Sequence, residues 1–364
     1  TVLFQTRLRA TVAYPSQIEP WDGAFSGTPG VAPPYDVLRF AIDEAHRRGM
    51  ELHAYLVAFP ANTLPDAKLL GQKALPARHP KLCTRAGDKW HLDPGVPGTA
   101  EYLAEIVREI VSNYDVDGIH LDYIRYPEPS IPFDDRRTYA RYGHQLPKAE
   151  WRRENVNRTV QLISETARAI RPWVKITCAP IGKYADLPAQ SSKGWNARDA
   201  VSQDAQLWLR RGWMDGLYPM MYFDGQHFYP FAVNWKEYAY GRPVVPGLGA
   251  YQLAPEERNW SLLQIIRQLR FIHAEGFPGE AYFRSQFLLD NVKGLLDFVH
   301  DNYARPMLPP AMTWIDSIPP AAPQLQRRRN GTALHFSWNA VADATPVHYN
   351  LYRLTASGPV AVAL

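Results

Sequence analysis

The stretch VDGIHLDYIRYP (116–127) decides the fold. It has an Asp-Gly pair (Asp117-Gly118) just after its first residue, runs through β-type residues, and stops at Pro127, which cannot donate to a central ladder. Strand alternation puts His120 and Asp122 on one face and Ile119 and Leu121 on the other. Outward from it lie similar runs: LFQTRLR (3–9), ELHAYLV (51–57), VKITCAP (174–180), DGLYPMMY (215–222), PVVPGLGAY (243–251) and GEAYFR (279–284). Each is followed by a helical pattern, the signature of βα units around a parallel sheet. Leu103, Ile106, Val107, Ile110 and Val111 recur at helical spacing, as do Leu262, Ile265, Ile266 and Leu269. Helices also fit 35–48, 151–170, 199–211 and 288–303.

Seven strands with helical crossovers predict an α/β protein, a TIM-type (β/α)₈ barrel lacking its first strand in this chain, over residues 1–304. The Pro-rich stretch 305–318 reads as a linker packed on the barrel. Beyond it, ALHFSWNAV and VHYNLYRL alternate like strands, so 319–364 reads as a partial all-β fibronectin-III-like sandwich. No internal repeat is evident.

Of the 364 residues, 40 are Lys or Arg and 36 are Asp or Glu, a formal charge of +4 with no basic block. A nucleic-acid grip needs clustered cations, so no nucleic-acid partner is expected. At 46% hydrophobic the chain can fill a large core, yet no apolar run approaches the roughly 18 residues that would span a bilayer. Its two cysteines cannot build a disulfide scaffold or a Cys-based zinc site. GxGxxG after a strand, HExxH and GxSxG are all missing, which argues against nucleotide, zincin and serine-hydrolase chemistry. Neither metal nor cofactor is expected.

Barrel enzymes place chemistry at the C-terminal ends of the strands. Asp122 stands there and is the candidate catalytic carboxylate. Asp224, just after the run 215–222, is its expected partner, with Glu280 third because it comes early in its strand. Two such acids are the minimum equipment for glycoside hydrolysis, one protonating the leaving oxygen and the other attacking or activating water. Tyr123, Tyr126, Trp195, Tyr222 and Phe223 supply ring faces for sugars, and His53, Tyr55 and His120 alternate toward the same mouth. The expected ligand is a polymer of neutral or acetylated sugars. The same features would also serve a glycan-binding barrel without turnover.

Together with FQTRL near the start and YDVLRFAIDEAHRRGMELHAYL (35–56), the 116–127 motif resembles the bacterial glycosyl-hydrolase-like family 10 over about residues 1–315. The resemblance implies a TIM-type barrel, an exported or lipid-anchored enzyme, periplasmic, cell-surface or secreted, and action on peptidoglycan strands stripped of stem peptides. Its matching positions are Arg7, His53, Asp122, Arg125 and Tyr222. The chain departs from the family where an RGVW-like opening strand is absent and where Val57-Ala58-Phe59-Pro60 replaces an NPYR-like segment.

Overall fold

The computed structural model describes residues 1–143, 145–303, 309–343, 349, 351–356 and 358–361. The chain forms two compact units, Thr1–Ala304 and Arg305–Leu364.

In the first unit, β1 (Val2–Leu8) turns back into the two-residue antiparallel β2 (Thr11–Val12). On its other side β1 pairs in parallel with β3 (Leu52–Val57). A side sheet follows, built from β4 (Pro60–Thr63), β5 (Cys83–Ala86) and β6 (Lys89–Leu92) in the order β4-β6-β5. The parallel array then resumes with β7 (Gly118–Asp122), β8 (Lys175–Cys178) and β9 (Gly216–Leu217), each beside its predecessor. Bridges Leu217 to Val244 and Met220 to Gly247 carry it on to β10 (Gly247–Leu248), which pairs with β11 (Ala281–Tyr282). All seven expected runs thus hold a parallel strand or bridge, in chain order. No ladder joins β11 to β1 among the described residues. The side sheet was not foreseen, because four-residue strands between polar turns carry too little alternation to register.

Alternation divides the array as expected. Ile119, Leu121, Ile176 and Cys178 are buried in one continuous core with Leu103, Ile106, Val107 and Ile110 of helix Thr99–Asn113 and Val156, Val160 and Ile163 of helix Lys148–Ile170. The expected helix 199–211 is two short ones, Ala197–Ala200 and Ala205–Arg210. Asn196 caps the first through its side-chain oxygen, and Ser202 at φ +63° breaks the run between them. The stretch 288–303 is likewise divided, with Ser285–Leu289 ending before a break at Lys293 (φ +53°) and Leu295–Asn302 following it.

Two Asp-Gly pairs share a device at the opposite end from the mouth. Asp117 Oδ2 accepts the Leu52 N–H at 2.8 Å, and Asp215 Oδ2 accepts the Ile176 N–H at 2.8 Å, so each carboxylate secures the neighbouring strand. The glycine that follows makes room: a Cβ on Gly118 would meet the His53 ring at 2.7 Å.

In the second unit, β12 (Leu325–Asn330) pairs with β13 (Ala333–Trp338), and β14 (Tyr352–Thr355) with β15 (Gly358–Ala361), as antiparallel hairpins. Residues 304–308, 344–348, 350, 357 and 362–364, on which part of the linker and fibronectin-III-like readings fall, lie outside the described residues.

Candidate active site

Asp122 ends β7 and is 5% exposed. Tyr55 of β3 donates its hydroxyl to one carboxylate oxygen, and the Tyr123 backbone N–H donates to the other at 2.7 Å. Parallel register makes the first contact possible by setting Tyr55 beside His120, one layer below Asp122. The second depends on Tyr123 adopting φ +49°, a turn that also swings its ring outward, where it is 41% exposed. Burial raises the Asp122 pKa above the ordinary carboxylate value, with the two hydrogen bonds and the nearby Arg125 charge pulling the other way. A carboxyl held this way can keep a proton to give, as a general acid must.

Below it, His120 stacks on Tyr55 with ring centroids 5.3 Å apart, and its Nδ1 lies 2.9 Å from Thr177 Oγ1. Burial, with His53 adding to it, pushes the His120 pKa down to about 3, so the ring is a neutral support for Tyr55. On the far side Tyr222 stacks on Phe283 at 5.5 Å and meets Tyr251 edge-on at 5.5 Å. Burial and the Asp122 charge both raise the Tyr222 hydroxyl pKa, so this ring lies within electrostatic reach of the acid. Arg125, buried, sits 4.6 Å from the Tyr123 ring and 5.8 Å from that of Trp195, with Glu128 3.6 Å away. Phe223 carries the aromatic surface beyond Tyr222 toward Lys183, whose Nζ is 4.7 Å from its ring.

Three residues expected at the mouth do other work. Arg7, fully buried, donates Nε and Nη2 to Glu19 at 2.8 and 2.7 Å and Nη1 to the carbonyls of Val57 and Ala58, so its positive charge is already matched inside the protein. His53 lies low in the array, on Gly118 and 3.4 Å from Glu51. Tyr126 is core: its hydroxyl accepts from Asn155 at 3.2 Å and its ring meets Phe133 edge-on. Asp224 is exposed, with no hydrogen bond or ion pair to the Asp122 group among the described residues. Glu280 precedes β11 and accepts from the hydroxyls of Tyr282 and Tyr303. Tyr251, Phe283 and Lys183 were missed, since none stands in a motif; only their place after strands hinted at them. No group of three or more His, Cys, Asp or Glu able to hold a metal occurs among the described residues, and no described helix is long and apolar enough to cross a membrane.

If Tyr55 restrains the acid, Tyr55→Phe should shift the alkaline limb of any pH–activity profile upward. Removing a donor to the carboxylate disfavours ionisation, so Asp122 would keep its proton to higher pH. An unmoved limb in a folded variant would count against this role.

Parallel strands in chain order, with a buried acid and an aromatic wall at their C-terminal ends, place this chain among barrels of the glycoside-hydrolase type. It belongs to the Glycosyl hydrolase-like 10 family, which it matches over residues 1–243. Glycosyl hydrolase YngK of Bacillus subtilis (strain 168) is 28% identical over 97% of this chain and 74% of its own length. Glycosyl hydrolase DigH of Escherichia coli (strain K12) is 34% identical over 61% of this chain, which spans only 54% of that protein. The fold is also that of α-L-fucosidase isoenzyme 2 from Paenibacillus thiaminolyticus, with a TM-score of 0.54 and 14% identity over 83% of this chain and 44% of that one. The PgaB (BpsB) glycoside hydrolase domain from Bordetella bronchiseptica gives a TM-score of 0.54 and 13% identity over 79% and 82%.

Proposed function

We propose that this protein hydrolyses glycosidic bonds of a polymeric glycan outside the cytoplasm, with Asp122 as the proton-donating acid. The observation that carries this reading is the Asp122 carboxyl itself: buried at a strand end, its pKa raised, beside Tyr222. Burial favours the protonated form, and the aromatic wall is suited to a sugar ring seated against that proton. Asp224 is the carboxylate we pair with it, to activate water or attack the anomeric carbon. It stands on the segment that carries Tyr222 and Phe223. The substrate we favour is the bacterial cell-wall glycan strand without stem peptides, which the family resemblance implies.

Release of reducing ends from purified strands tests the reading. Tyr222→Ala should weaken strand affinity several-fold, aromatic contacts contributing about 0.5–1.5 kcal/mol beyond their buried area. That no hydrogen bond or ion pair links Asp224 to the Asp122 group among the described residues favours a second reading, a glycan-binding barrel without turnover. Strand binding with no ends released would select it.

A further inference from the structure

Lys183 follows β8 on a loop at the mouth and is 4% exposed. Its backbone is held by the hydrogen bond from the Ala197 N–H to the Lys183 carbonyl at 2.8 Å. The indole of buried Trp235 fixes the preceding carbonyl, that of Gly182, also at 2.8 Å. The ammonium lies between the rings of Phe223, at 4.7 Å, and Phe231, at 5.4 Å. Nζ donates to the Ser192 carbonyl at 3.2 Å and stands 3.1 Å from His227 Nδ1. That occupies two of its three N–H donors.

Among the described residues no Asp or Glu oxygen comes within ion-pair distance of it. Asp186, on the same loop, accepts instead from the N–H and hydroxyl of Ser192. Burial lowers the Lys183 pKa and Lys193 lowers it further, with Asp186 at longer range pulling the other way; burial, Lys183 and Lys193 lower the His227 pKa, so that ring stands beside the ammonium as a neutral acceptor. A buried ammonium without a counter-ion is costly, and a chain that keeps one rigidly placed beside a binding wall is equipped to receive an anion.

We infer that Lys183 forms a subsite for a carboxylate on the sugar polymer, with Phe223 covering the ring that bears it. This deepens the glycosidase reading, on which it rests, and adds a charge to the neutral or acetylated polymer expected above. One free N–H on one ammonium matches a singly charged carboxylate; a phosphate dianion is ordinarily met by several donors or a backbone nest.

The test measures calorimetric binding and reducing-end release on two substrates. One is cell-wall glycan strands whose alternate sugars carry a free carboxylate, and the other is the same strands with those carboxylates converted to methylamides. The wild type should bind the carboxylate form about 10- to 100-fold more tightly, the range for a hydrogen bond between charged groups. Lys183→Gln should bind both forms alike, and Lys183→Arg should keep most of the preference. Should burial make Lys183→Gln unfold, the half-buried His227→Glu supplies a carboxylate beside the intact ammonium and should also abolish the preference. Equal wild-type affinity for both strands, or a preference that survives in a folded Lys183→Gln or His227→Glu variant, overturns the inference. Cleavage of both strands without preference would overturn it while leaving the glycosidase reading in place. Preference without released ends would do the reverse, and binding of neither strand would overturn both.

Discussion

Asp122→Asn is expected to fold normally and to lose turnover by about 10²–10⁴-fold, the typical contribution of general acid–base catalysis. Asn keeps the shape of Asp, still accepts from the Tyr123 N–H, and leaves Tyr55 a group to bond, but it has no proton to transfer at the working pH. Reducing-end release on glycan strands measures the effect, and activity within about tenfold of wild type would remove Asp122 from the mechanism. The same variant should be more stable than wild type in alkaline solution. A carboxyl whose folded pKa is raised supports folding below its unfolded pKa and loses that support as pH rises through the folded value. Asn imitates the protonated form at every pH, so thermal melts of the two proteins should diverge as pH increases.

Arg7→Met should cost about 3–5 kcal/mol of stability in chemical denaturation, the range for breaking a buried ion pair. The change strands the Glu19 carboxylate, only 5% exposed and left with the Tyr102 hydroxyl at 2.8 Å, and takes the donor from the Val57 and Ala58 carbonyls. Those carbonyls stand at the last residue of β3 and the one after it, and β3 is the strand that presents Tyr55 to Asp122, so loss of Arg7 should also reduce activity in whatever fraction remains folded. Arg7→Met/Glu19→Leu should recover part of the loss, because burying neither charge is often close to neutral. Recovery would be incomplete, since the two carbonyls stay without their donor. A single variant as stable as wild type would show that Arg7 is not the strut its hydrogen bonds indicate.

The amino-acid order by itself determined the parallel array. Seven runs of β-type residues, each followed by a helical stripe, leave few ways to bury the apolar faces, and Ile119 and Leu121 against Asp122 settle which side of β7 meets the helices. It also determined Asp122 as a candidate, because a strand ending in a charged residue among apolar ones is conspicuous in one dimension. Partner choice was a different matter. Arg7 looks the same in sequence whether it meets a substrate or Glu19, and only the folded loop between them brings that carboxylate to 2.7 Å. The link from Tyr55 to Asp122 spans 67 residues and needs parallel register to exist. Lys183 carries no motif, and that no carboxylate among the described residues comes within ion-pair distance of it becomes visible only once Phe223 and Phe231 close around it. Periodicity is a local property that the backbone repeats along a strand or helix. The pairing, desolvation and pKa of a charged group are set by atoms that arrive from distant segments, so the tertiary structure decided them.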